Sequence, residues 1–152
     1  MQDLVVSGLF AYPLKAARAV PLDEAAALAR GLRRDRRWLL VAQSGEPVML
    51  KSHPRLATVA IGLDGETLVV SGADGPPLRV APPPASAVPL PVTVKRRTLA
   101  ARVAAPEANR YFSGLLGEAV WLAHLAQDET PAVIPPPPTP RSATASPDRR
   151  LT

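Results

Sequence analysis

The sequence predicts a mainly β protein: a small β-barrel with one capping α-helix near residues 106–116 and a disordered C-terminal tail. Three observations carry this expectation. Short apolar runs recur between Gly, Pro and Asp turn signals, a spacing that favours a closed or nearly closed barrel over a layered α/β fold. One hairpin is written out in full, with Val59, Ile61 and Leu63 alternating toward Asp64-Gly65 and Leu68 and Val70 answering on the return. A well-specified helical stripe occurs once, after Pro106.

Taken in order, Leu4 to Tyr12 is apolar and reads as a first strand interrupted by Ser7 and Gly8. Leu22 to Leu32 is ambiguous from its residues alone, because DEAAALAR has helical propensity but propensity yields easily to tertiary context. Trp38 to Ala42 (WLLVA) is continuously apolar, as a strand buried on both faces would be. After the hairpin, which a type I′ turn at Asp64-Gly65 would close, come short strands at Leu78 to Val80, Val92 to Val94 and Leu99 to Val103. Pro106 suits the first helical turn, Ala108, Tyr111, Phe112, Leu115 and Leu116 form the buried stripe, and Gly117 can end the helix in αL. A last strand reads Ala119 to Leu125. The expected division falls at residue 130: residues 1–130 form the barrel domain and 131–152, with seven prolines and no aromatic residue, a Pro-rich tail. Its PPPPTP segment has the composition of an SH3-like or WW-like ligand, although proline runs more often serve as spacers.

Composition excludes several chemistries. The 152 residues contain no cysteine, which removes disulfides, thiolate metal sites and cysteine nucleophiles, and only two histidines, His53 and His124. The formal charge of +5 is modest for a nucleic-acid binder, and Arg141, Arg149 and Arg150 against Asp148 put +2 of it in the tail, leaving +3 for residues 1–130. The N-terminus has no basic targeting region and no apolar run is long enough to span a bilayer, so a cytoplasmic protein without membrane contact is expected.

Neither a phosphate-binding glycine loop, a nucleophile elbow nor a zinc-binding HExxH is present. Asp23 and Glu24 are sequence neighbours that point apart and read as a solvated turn. His53 and His124 read as packing or hydrogen-bonding residues. Lys95-Arg96-Arg97 reads as a solvated strand end, and with so few aromatic residues a base-stacking surface is poorly supplied. The stretch GLRRDRRWLL (31–40) stands out, since four arginines around Asp35 are either a solvated surface or one side of an anion site.

Read together and in order, LFAYPLKAARAVPLDEA, ARGLRRDRRWLLV, KSHPRLATVAI with LDGETLVVSG, and FSGLLGEAVWLAHL resemble the N-terminal β-barrel domain of MOSC proteins over nearly all of residues 4–128. That family includes bacterial MOSC reductases, the mitochondrial amidoxime-reducing component and the C-terminal part of molybdenum cofactor sulfurase. The resemblance implies that PLDEAAALARGL is strand-like, and that Lys15 and Arg36 contact the anionic groups of the pterin in the molybdenum cofactor (molybdopterin). A guanidinium fork and an ammonium point charge both suit a phosphate monoester of about −1.5 to −2 charges. Asp35 would orient or neutralise its neighbours, while Arg33, Arg34 and Arg37 have no assigned role and are expected on the solvated surface.

The departures narrow the expected function. The family's serine after the lysine is Ala16, its following cysteine is Ala17, and the glycine before Val20 is Ala19. No MOSC domain follows within these residues, so the cofactor is expected only together with a possible separate MOSC domain chain, and no activity is expected of this chain alone. A truncated or frameshifted remnant is one alternative, motivated by the abrupt composition of 131–152. A small basic nucleic-acid-binding barrel is the other, and nucleic acid is the less favoured partner.

Overall fold

The computed structural model describes residues 3–28, 31–72 and 75–125, and the expected tail lies outside the described residues. They form a mainly β protein with one α-helix, built around Trp38–Ala42, here β5, after the short strands β1 (Leu9–Ala11), β2 (Val20–Leu22), β3 (Ala27–Leu28) and β4 (Gly31–Leu32). WLLVA is apolar throughout because both faces of β5 are covered. Trp38 and Leu40 enter one core with Leu14, Leu56, Leu68 and Phe112, whereas Leu39 and Val41 enter a second with Val92, Ala101 and Ala123.

Beyond β5 come β6 (Ala60–Asp64), β7 (Thr67–Ser71), β8 (Leu78–Val80), β9 (Pro89–Val94), β10 (Arg97–Val103), α1 (Pro106–Leu116) and β11 (Val120–His124). The main sheet has the order β5-β11-β10-β9, every pair antiparallel, with His124 opposite Trp38. Pro89 and Pro91 fit in β9 because it is the edge strand, where missing donors leave no ladder bond unmade. The edge curls back onto the turn after β5, where the Thr93 N–H donates to the Gly45 carbonyl at 3.5 Å. A three-stranded sheet, β6-β7-β8, covers the other core.

The result is a half-barrel sheet, in keeping with the small, closed or nearly closed β-barrel that the sequence predicts. The strands fall into four separate sheets, and two of these, β1-β2 and β3-β4, are ribbons of two or three residues per strand. The PLDEAAALARGL stretch is strand-like at both ends of its described part, against its helical propensity. The first strand is shorter than expected: pairing stops at Leu9↔Leu22, because β2 offers no further partner, and Leu4, Val5 and Val6 are exposed. The β6-β7 turn sits one residue later than expected. Asp64 pairs with Thr67, so Gly65 and Glu66 form the turn, and positive φ at Gly65 (60°) but not at Glu66 fits type II′ rather than I′.

The helix forms where the stripe predicts it, with Pro106 in its first turn and Gly117 (φ 71°) returning its N–H to the Ser113 carbonyl. Ala108 and Phe112 are buried, and two polar side chains fix the helix against β11. Asn109 Oδ1 accepts from the Leu122 N–H at 2.8 Å, and Ser113 Oγ lies 3.1 and 3.2 Å from the Val120 amide and carbonyl.

Candidate functional site

Residues Tyr12 to Lys15 run alongside Asp35 to Trp38, held by main-chain bonds. The Arg36 N–H donates to the Tyr12 carbonyl (2.7 Å), the Trp38 N–H to the Pro13 carbonyl (2.9 Å) and the Lys15 N–H to the Trp38 carbonyl (2.9 Å). Asp35 adds a side-chain stitch, since its Oδ1 accepts from the Tyr12 N–H at 2.7 Å. Its Oδ2 lies 3.4 Å from Arg36 Nη1, and that guanidinium stands 5.8 Å from the Tyr12 ring centroid. These bonds bring the two stretches GLRRDRRWLL and AYPLK, far apart in sequence, to one edge.

Lys15 is presented by a tight turn in which the Ala17 N–H bonds the Leu14 carbonyl and Ala16 takes φ 69°. Positive φ at the third residue alone is type II geometry, which favours glycine there. Among the described residues the Lys15 ammonium makes one side-chain hydrogen bond, to the Met49 thioether at 3.1 Å, a weak acceptor for a group with three donors. Partial burial pushes the Lys15 pKa below the usual lysine value, and the positive charges of Lys95 and then Arg36 push it the same way. Lys15, Lys95 and Arg36 thus share one local field. Asp35 pairs with Arg36, and among the described residues no carboxylate pairs with Lys15 or Lys95.

The four arginines have three different fates. Arg33 and Arg34 converge on Glu66 in the β6-β7 turn, at 3.3 and 3.1 Å, on the partly exposed surface. Arg36 projects into solvent beside Tyr12, its side chain 65% exposed. Arg37 overturns the surface expectation: it is buried, because its chain position directly precedes β5 and its carbonyl accepts from the Leu125 N–H at 2.8 Å. Lys95 and Arg96 form the β9-β10 turn instead of a strand end, and Asp23 and Glu24 are exposed. His53 bridges Ser52 and Glu118, tying the 3₁₀ turn Pro54–Thr58 to the loop after α1, and His124 stacks at a tilt on Trp38 with ring centroids 4.6 Å apart. Sequence reasoning missed Tyr12 and Met49 as neighbours of the cations, since nothing in their local pattern distinguishes them from core residues.

Two clefts lie elsewhere. One of about 490 Å³ sits between β8, Pro82 to Pro84 and the start of α1, and another of about 400 Å³ lies beside Arg33 and Arg34. Lys15 and Arg36 line neither of these two. Among the described residues, no group of three or more His, Asp or Glu could hold a metal, and no helix is long and apolar enough to cross a membrane.

A half-barrel that gathers Tyr12 to Lys15 and Asp35 to Trp38 at one edge defines a small β-barrel module. The chain belongs to the MOSC N-terminal beta barrel domain family, whose profile matches residues 3–119. Mitochondrial amidoxime-reducing component 1 of Xenopus laevis is 32% identical over 131 residues, covering 84% of this chain and 36% of that protein. The Homo sapiens mitochondrial amidoxime-reducing component 1 is 42% identical over 72 residues, 45% of this chain and 21% of that protein. The chain thus spans about a third or less of the length of these relatives. A Bordetella bronchiseptica protein solved in solution has the same fold, with a TM-score of 0.53 at 19% identity over 64% of this chain and 83% of that one.

Proposed function

We propose that this domain is one half of a molybdenum cofactor site, in which Lys15 and Arg36 hold the anionic phosphate of the pterin and a MOSC domain forms the opposing wall. The observation that carries the reading is the Lys15 ammonium: partly desolvated, in the field of other cations, and among the described residues bonded only to a thioether. An anion there would gain two unused N–H donors and relieve the repulsion with Arg36 and Lys95. The residues therefore fit the phosphate end of the cofactor. Arg36 would add a second, forked donor that Asp35 keeps beside Tyr12. Bound there, the cofactor supplies a redox-active molybdenum whose protein thiolate must come from the MOSC domain, because this chain has no cysteine.

The openness of the face supports the need for that second wall, since Tyr12, Met49 and Arg36 are all exposed. The relatives' printed activity, amidoxime reduction, is the reaction class this reading points to for the assembled protein, and we retain a cytoplasmic location as part of the proposal. The test is a fluorescence titration of the purified domain with a pterin phosphate. Saturable binding that Lys15→Ala weakens at least tenfold is expected, and a response that Lys15→Ala leaves unchanged would reject the reading.

A further inference from the structure

We infer that Lys95, at the tip of the β9-β10 hairpin, is a third phosphate-binding residue, closing over an anion held by Lys15 and Arg36. The inference rests on the proposed anion site and adds to it a residue from the far edge of the main sheet.

The placement follows from packing. Val94 packs on the core face of β5 that carries Leu39 and Val41, while Lys15 is bonded to the Trp38 carbonyl, one residue before Leu39. The Thr93 to Gly45 hydrogen bond holds the same end of β9 against the turn that leads into Met49. The hairpin tip at residue 95 therefore follows a strand end held beside the turn that leads into Met49, whose thioether bonds Lys15, and the charge of Lys95 lowers the Lys15 pKa.

The turn itself is unusual. Val94 pairs with Arg97, leaving Lys95 (φ 47°) and Arg96 (φ 65°) as the two central residues of a type I′ turn. Asn-Gly would close this turn with less strain, whereas two long cations in the left-handed region repel each other and Lys15. Among the described residues neither has a carboxylate partner. An anion between the hairpin tip and Lys15 resolves both the repulsion and the missing partner.

The experiment is an NMR titration of the isotope-labelled chain with inorganic phosphate at constant ionic strength, comparing wild type, Lys95→Asn, Lys15→Ala and the exposed-surface control Arg18→Ala. Asn tolerates positive φ, so Lys95→Asn removes the charge and keeps the turn, and Lys95→Gly serves as a second variant with the same backbone freedom. The expected result is a roughly three- to tenfold weaker phosphate affinity in both Lys95 variants. Lys15 should also titrate at higher pH in them, because a neighbouring cation has gone. Wild-type affinity in both Lys95 variants, alongside a large loss in Lys15→Ala, would overturn this inference and leave the two-residue site standing. Absence of saturable phosphate binding in wild type, or a loss in Arg18→Ala as large as in Lys95→Asn, would overturn both.

Discussion

Replacing Arg36 and Arg33 separately with alanine distinguishes a formed anion site from a diffuse basic surface. In the free domain Arg36 contributes little: its ion pair with Asp35 is 3.4 Å long and its side chain is 65% exposed, so Arg36→Ala should cost less than about 1 kcal/mol of stability. The backbone does not decide the outcome either, since arginine and alanine meet a similar penalty at φ 50°. With a phosphate bound, a charge-assisted hydrogen bond from the guanidinium would be worth roughly 1.5–3 kcal/mol, and this exposure selects the low end, about 1.5 kcal/mol. That is roughly a tenfold rise in Kd. Arg33 pairs instead with Glu66, which Arg34 also holds, so Arg33→Ala should change phosphate affinity by less than about 0.5 kcal/mol. The assay is fluorescence titration with a pterin phosphate at two ionic strengths. Equal losses for the two variants, both vanishing in moderate salt, would refute the assignment, because screening removes a diffuse field far more than a contact.

The remaining expectations are quickly stated. Phosphate affinity should fall as pH rises through the lowered pKa of Lys15, in the alkaline range below the ordinary value of 10.5, and an affinity constant up to that value would contradict the perturbation. In the same window the free domain should gain stability with pH, since the unfolded chain still holds a proton the folded one has released; chemical denaturation at several alkaline pH values measures this. Ala16→Gly relieves a left-handed cost of about 1–2 kcal/mol against an entropic loss of about 0.5–1, so the urea midpoint should rise slightly. Leu40→Ala should cost about 2–5 kcal/mol by denaturation, because the side chain is wholly buried in the larger core.

Much of this architecture was legible because it depends on local pattern. WLLVA reads as a strand covered on both faces, and the stripe from Ala108 to Leu116 with Gly117 behind it reads as a terminated helix; both hold, since each needs only periodicity and an end signal. Leu4 to Val6 misled because an apolar run becomes a strand only beside a partner, and β2 ends before it can pair there. Arg37 misled for the opposite reason: in a run of like residues the sequence does not say which one the following strand carries inward. Of the site, family resemblance singled out Lys15 and Arg36. The role proposed for Lys95 was illegible, because its electrostatic effect on Lys15 depends on the curl of β9 back onto the turn after β5, which no local pattern announces.

The backbone gives an independent reason to treat these loops as one device. Among the described residues, the non-glycine residues with positive φ are Ala16, Arg34, Arg36, Lys95 and Arg96. They fall in three turns, those of Lys15-Ala16, Arg33 to Arg36 and Lys95-Arg96, and four of the five are cationic, Arg34 being paired with Glu66. Each such residue costs on the order of 1 kcal/mol, which is a sizeable fraction of a small domain's net stability of about 5–15 kcal/mol. Turns selected for stability alone would use glycine or asparagine at these positions. Here the two cores clamped on opposite faces of β5 hold the ends of the strained segments in place: Leu14 and Trp38 are fixed in the larger core, and Val94 packs against the smaller one. Strain that is over-determined by its surroundings and concentrated at one edge marks that edge as preorganised. On the proposed reading, what it preorganises is positive charge, so an incoming phosphate would meet its donors without first having to gather them.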